Sequence, residues 1–157
     1  MDDLRRPLAA IAAEQHADIA VQEAGLDRRG QYLVVMDVDS TFIQDEVIDL
    51  LADEAGVMAE VAAITERAMA GELDFEQSLR ARAALLQGLP ASALARVRSR
   101  ITLTPGARTL CRTLNRLGYR VALVSGGFTE VIAPIAAELG VTDVRANTLE
   151  VVDGTLT

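Results

Sequence analysis

The sequence predicts an α/β fold, in which strands of a parallel sheet alternate with helices and one long all-helical stretch interrupts the alternation. Three observations carry that reading. Leu33 to Met36 are consecutive apolar residues without polar alternation, the pattern of a strand covered on both faces, and Tyr119 to Val124 form a second such run. Each run ends in a turn and then changes to helical spacing. Aromatic residues make up only 3% of the 157-residue chain, so the core is built from Ala, Leu, Val and Ile, which suits helices packed on a sheet.

In chain order, Leu4, Leu8, Ile11, Ile19 and Val21 mark an amphipathic helix from residue 4 to about 24, with Gly25 as its stop. A loop, DRRG, leads into the first strand. After it, Ile43, Val47, Leu50 and Leu51 recur at helical spacing. Residues 46–100 are acidic, alanine-rich and free of strand patterns, with breaks near Gly56, at Gly71 and at Gly88-Leu89-Pro90. An all-helical insertion between two strands predicts a cap over their carboxyl ends. Thr104-Pro105-Gly106 opens the next helix, with proline early and Gly118 closing it. Then follow the second strand, a turn at Ser125-Gly126-Gly127, a helix over Phe128 to Leu139, a short strand near Val144 to Ala146, and a hairpin around Asp153-Gly154. Residues 1–30 read as an N-terminal helix and linker, 31–45 with 101–157 as the α/β core, and 46–100 as the helical cap.

Composition excludes several function classes. A net charge of −8, with no stripe of cations, argues against a nucleic-acid surface. No apolar run reaches membrane-spanning length, and the charged first residues lack the continuous apolar core of a secretory signal, so a cytoplasmic location is expected. The single Cys111 lies in a helical pattern and reads as a packing residue, and His16 carries little information. All 15 basic residues are arginines, so the chain offers no lysine to any mechanism that needs one.

Two sites stand out. Asp37 and Asp39 follow the first strand, and ligands of open α/β sheets bind beyond the carboxyl ends of the strands. On their own, such carboxylates also suit the capping of the next helix. Ser125, Gly126 and Gly127 follow the second strand and open a helix, where a hydroxyl and unobstructed N–H groups form a phosphate cradle; a glycine turn there also has purely steric uses.

DVDST followed by FIQDEVIDLLADEAG resembles the first motif of the haloacid dehalogenase phosphohydrolases, specifically the branch that acts on O-phosphoserine. Ser125-Gly126-Gly127 matches the family's second motif in position. The resemblance implies a partial doubly wound, HAD-like Rossmannoid parallel sheet with an inserted all-helical cap. It also implies chemistry: Asp37 attacks phosphorus to form an aspartyl-phosphate, and Asp39 protonates the leaving oxygen and then deprotonates the attacking water. Mg²⁺ is the implied cofactor, held by Asp37, by Asp39 through its backbone carbonyl, and by a later aspartate.

The segment ITERAMAGELDFEQSLRAR is similar to the family's substrate-reading segment. By that likeness Glu46 receives the substrate ammonium, Arg82 clamps its carboxylate, Ser125 and Gly126 bind the phosphate, and Met69 and Phe75 are apolar pocket positions. The family's later lysine and its Gly-Asp-Gly-X-Asn-Asp motif have no counterpart here, and residues 1–30 resemble the linker to regulatory ACT domains. The expectation is therefore a truncated hydrolase of phosphoserine, acting in serine biosynthesis when complete and inactive as this chain. The alternatives are a related phosphotransferase or small-molecule phosphatase, and an inactive fragment serving as a binding or assembly module. In the family the metal-motif strand lies beside the first strand, so its absence predicts an exposed edge and hence a homodimer or domain-swapped assembly.

Overall fold

The computed structural model describes residues 2–16, 19 and 32–157. The chain divides into two units, residues 1–31 and 32–157. In the first unit, helix α1 spans Asp2–Gln15. The helix ends earlier than the sequence predicts, with His16 turning at a φ of 51° and Ile19 outside any helix, while Val21 and the expected stop at Gly25 lie outside the described residues.

The second unit holds a three-stranded parallel sheet, β1 (Leu33–Asp37), β2 (Arg120–Phe128) and β3 (Asp143–Asn147), in the order β1-β2-β3. The chain steps across the sheet in one direction. Right-handed crossovers then place the helices that precede and follow β2 on one face. Those helices are α6 (Ala107–Arg116) and α7 (Thr129–Glu138), and both pack on β2. Val121 and Leu123, pointing to the covered face, are 4% and 1% exposed.

On the opposite face Leu33 and Val35 are 59% and 55% exposed. This corrects the expectation that the first strand is buried on both sides. An unbroken apolar run reports what a strand is suited to, and here β1 is an edge strand with one open face. β2 also differs from expectation: it continues through Ser125-Gly126-Gly127 to Phe128, with a register shift between Val124 and Phe128 in its pairing with β3. The bulge lets the backbone stay extended while re-aiming the residues at the strand end.

Between β1 and β2 lie α2 (Val47–Ala55), α3 (Met58–Met69), α4 (Phe75–Ala84) and α5 (Ser92–Arg100). The glycine breaks fall where the sequence puts them: Gly56, Gly71 and Gly88 all have positive φ. α2 ends with the Gly56 N–H turned back to the Ala52 and Asp53 carbonyls, and α4 begins with a reciprocal capping box between Asp74 and Gln77. Pro105 is not in the first turn of α6 as expected. The helix starts two residues later behind Gly106, whose φ of 92° a side chain would strain.

The insertion enters and leaves through two antiparallel segments. Gln44 donates its backbone N–H to Thr102 O (2.9 Å), and Thr104 N–H donates to Phe42 O (3.0 Å). The Asp45 side chain accepts the Thr102 N–H at 2.7 Å. Beyond β3 the chain forms a hairpin of β4 (Val151–Val152) and β5 (Thr155–Leu156), with Asp153 and Gly154 both at positive φ, the turn expected from Asp-Gly. The hairpin bonds to the α4–α5 connection: Gly88 and Ala91 N–H groups donate to Leu156 O and Gly154 O, and Leu156 N–H donates to Leu89 O.

One apolar core joins sheet and insertion, running from Val38, Ile43 and Leu51 through Val61 and Val97 to Leu123, Phe128 and Ile132. Burying each of its larger side chains stabilises the fold by roughly 1.5–3 kcal/mol. Cys111 is part of this core, and burial pushes its thiol pKa up, which leaves it protonated and unreactive.

Candidate active site

The loop after β1 is built around one carbonyl. Val38 O accepts the N–H groups of Thr41 (3.2 Å), Phe42 (2.8 Å) and Ile43 (3.0 Å), which folds the chain sharply away from the sheet. Ser40 takes a left-handed φ of 52° in this turn. That conformation is uncommon for a residue with a Cβ and is stabilised here by the surrounding bonds. The Ser40 hydroxyl donates to Glu46 Oε1 at 2.6 Å and so fixes the carboxylate at the N-terminal boundary of α2.

The two aspartates face different surroundings. Asp39 is tied down on both oxygens: Oδ1 accepts the Val47 N–H (2.8 Å) at the start of α2, and Oδ2 accepts the Ser125 hydroxyl (2.6 Å). The carboxylate thus caps a helix and bridges the ends of β1 and β2 together. Asp37, exposed at the end of β1, has its side chain in no hydrogen bond or ion pair among the described residues.

The glycine turn is held as closely. Ser125 Oγ accepts the Gly127 N–H at 2.7 Å, and the Asn147 amide donates to the carbonyls of Gly126 (2.8 Å) and Gly127 (3.4 Å). A Cβ on Gly127 would lie 3.0 Å from Ser125 Oγ and 3.2 Å from Asp39 Oδ2, so a side chain there would push on the two groups that form the Ser125–Asp39 bond.

Asp37, Asp39, Gly126 and Gly127 line a cleft of about 270 Å³ together with Glu46, Phe75 and Arg82. The Arg82 Nε donates to the Ser78 carbonyl at 3.3 Å, which orients the guanidinium and leaves its terminal nitrogens without partners among the described residues. One cleft therefore presents Asp37, Asp39, Glu46, Arg82, Phe75 and Gly126, with Ser125 bonded directly behind Asp39. Met69 is placed elsewhere, at the end of α3, 86% exposed and outside the cleft lining.

Ile48 and Leu79 line the cleft and were not singled out from the sequence. Neither were Ser40 and Asn147. Ser40 lies within the DVDST motif, and Asn147 ends a parallel strand, the position where ligand-binding residues of such sheets collect; those were the available signals. Among the described residues no three His, Cys, Asp or Glu side chains form a metal-binding group. The oxygens of Asp37 and the Asp39 main chain are nevertheless hard donors of the kind Mg²⁺ takes, and Mg²⁺ binds through one or two carboxylates plus phosphate oxygens and water. The donor set fits that ion.

A parallel sheet with a helical insertion, and paired aspartates and a serine-glycine turn at its strand ends, is the arrangement of one large hydrolase class. Residues 34–157 match the haloacid dehalogenase-like hydrolase family, and the chain belongs to it. Within that family it is similar to phosphoserine phosphatases. The phosphoserine phosphatase of Streptomyces coelicolor is 62% identical over 156 residues, covering 99% of this chain and 38% of that protein. A structure described as a phospho-aspartyl intermediate analogue of phosphoserine phosphatase superposes with a TM-score of 0.74 at 46% identity, covering 82% of this chain and 62% of that one. A substrate-bound phosphoserine phosphatase complex gives a TM-score of 0.75 at 45% identity, with 82% and 61% covered. The chain thus spans well under half the length of its Streptomyces relative.

Proposed function

We propose that the whole protein hydrolyses O-phosphoserine through an aspartyl-phosphate, and that this chain supplies the nucleophile, the acid/base and the substrate-reading groups. The observation that carries the reading is the contrast between the two aspartates: Asp37 is free to attack, while both Asp39 oxygens are held in a fixed orientation. In the first step an Asp37 oxygen bonds to phosphorus as the bond from phosphorus to the serine oxygen breaks. The departing oxygen takes the proton that Asp39 carries into this step, and the water's proton replaces it in the next. In the second step water attacks phosphorus, Asp39 takes the water's proton, and the acyl-phosphate bond breaks to release inorganic phosphate and restore the Asp37 carboxylate. The likeness to a phospho-aspartyl intermediate analogue supports this route.

Glu46 and Arg82 face one cleft with charges complementary to the ammonium and carboxylate of an amino acid, and Arg82 offers unpartnered donors for a forked contact. Mg²⁺, held by Asp37 and the Asp39 main-chain carbonyl, would offset the repulsion between carboxylate and phosphate. The domain division follows: residues 46–100 act as a cap on a core formed by 31–45 and 101–157. The reading places the whole protein at the last step of serine biosynthesis, in the cytoplasm. The 157 residues alone should turn over negligibly, because they contain no lysine to neutralise the phosphate.

The test is Asp37→Asn in the whole protein. Hydroxylamine-sensitive phosphate on residue 37, seen by mass spectrometry in the parent protein, should vanish in the variant along with turnover. Retained phosphoserine hydrolysis in Asp37→Asn would overturn the assignment.

A further inference from the structure

A second cleft, of about 430 Å³, opens where the end of α5, the start of α6 and the end of α7 meet. It shares no lining residue with the cleft at Asp37. Its apolar surface includes Ile101, Leu103 and Ile135, and its charged residues are Arg98, Arg108 and Glu138. None of those three charges is in a hydrogen bond or ion pair among the described residues, a state shared by Arg112 and Arg116 but not by Arg67, Arg80, Arg96, Arg100 and Arg120.

Two of the three also sit against the local field. Arg108 is in the first turn of α6 and Glu138 in the last turn of α7, each at the helix end whose partial charge has its own sign. Both are uncompensated, and both border the same concavity. We propose that this cleft binds a free α-amino acid with an apolar side chain: carboxylate on Arg98 and Arg108, ammonium on Glu138, side chain against Ile101, Leu103 and Ile135. A simple anion would leave the apolar surface unused and would be repelled by Glu138. A purely apolar ligand would leave the half-buried Arg98 and the exposed Arg108 and Glu138 without a contact. A zwitterion with a hydrocarbon body can contact every group, and the volume falls in the range of about 300–1,000 Å³ usual for small-molecule sites.

The position gives the ligand a mechanical effect. Ile101 and Leu103 belong to the segment by which the insertion leaves for the sheet, and Leu103 bridges Ile43 in the segment by which it enters. An occupant would brace α5 against α6 and α7 across that junction.

The experiment is a titration of the isotopically labelled chain with L-leucine, followed by amide NMR shifts, with glycine, isocaproate and isoamylamine as probes lacking one group each. Saturable shifts are expected at Ile101, Leu103 and Ile135. All three truncated probes should bind at least about tenfold more weakly, the scale of one lost charge-assisted contact. The double variant Arg98→Ala/Arg108→Ala should weaken leucine binding by about that factor or more. Glu138→Gln should weaken leucine but tighten isocaproate, an anion that Glu138 repels. Arg82→Ala, in the other cleft, should leave the leucine shifts intact. Absence of saturable shifts up to the solubility of leucine would overturn the proposal. So would shifts that survive the double variant, or shifts that disappear with Arg82→Ala, which would assign the binding to the Asp37 cleft.

Discussion

The hydroxyl of Ser125 donates to Oδ2 of Asp39 at 2.6 Å while accepting the N–H of Gly127 at 2.7 Å. A hydroxyl has one hydrogen, so it can point at Asp39 or at a phosphate oxygen but not at both. On the proposed mechanism, a phosphate arriving at Ser125 would compete for the bond that holds Asp39. Ser125→Ala should lower kcat/KM of the whole protein by about 10- to 100-fold, the scale of a hydrogen bond to a charged group. Steady-state kinetics check this, and a loss below twofold would show that Ser125 is dispensable.

Arg82→Lys replaces a fork by a point charge. Its Nε bond to the Ser78 carbonyl shows that the guanidinium is oriented along its helix before any ligand arrives. The specificity constant for phosphoserine should fall by about tenfold or more, while an aryl phosphate lacking the amino-acid group should be hydrolysed as before. Parallel losses on both substrates would place Arg82 in the chemical step or in folding.

Asn147→Ala should loosen the glycine turn without touching the reacting atoms, because among the described residues its amide bonds only to the Gly126 and Gly127 carbonyls. The expected signature is a raised KM and weaker inhibition by inorganic phosphate, with thermal stability lowered by only about 1–2 kcal/mol for the lost amide bonds. Unchanged phosphate inhibition would mean that the turn holds its shape without Asn147.

β1 lies at the edge of the sheet, with Leu33 and Val35 exposed and neither proline nor lysine in the strand. Such an edge pairs readily with another strand. The 157-residue chain should therefore associate, as a homodimer or a domain-swapped assembly, and Val35→Lys should shift it toward monomer. Light scattering across a concentration series checks both statements, and a monomeric parent chain would refute the first.

Much of the fold was legible because backbone demands leave local marks. Gly56, Gly71 and Gly88 stop or separate helices through positive φ, Asp153-Gly154 makes its hairpin, and the carboxylates beyond Met36 follow from a strand ending at a ligand-binding edge. The length of β2 was not legible, since Ser125-Gly126-Gly127 has turn composition and stays in the strand only by pairing with β3 across a register shift. The role of Ser40 was hidden for a similar reason: its bond to Glu46 exists only once Val38 O gathers three N–H groups. Asn147 lies 20 and 21 residues from the carbonyls it holds, a separation no local pattern reports. Met69 shows the opposite limit, because an apolar residue at the end of a helix can face either way.

The β4–β5 hairpin gives the helical insertion a third mooring. The insertion is already attached at residues 42–45 and 101–104, two neighbouring points about which a rigid body could swing. The bonds from Gly88 and Ala91 to the hairpin, and from Leu156 back to Leu89, pin it at a distance from that axis. Swinging the whole insertion would break all three at once. The stretch between α3 and α4 is bonded back to α3, through the Arg67–Glu72 ion pair and the N–H groups of Ala70, Gly71 and Glu72, and among the described residues makes no hydrogen bond to the hairpin; Phe75, 67% exposed, follows shortly after on the wall of the cleft. A change in the width of the cleft would therefore fall to the few residues around 70–75 rather than to a swing of the whole insertion.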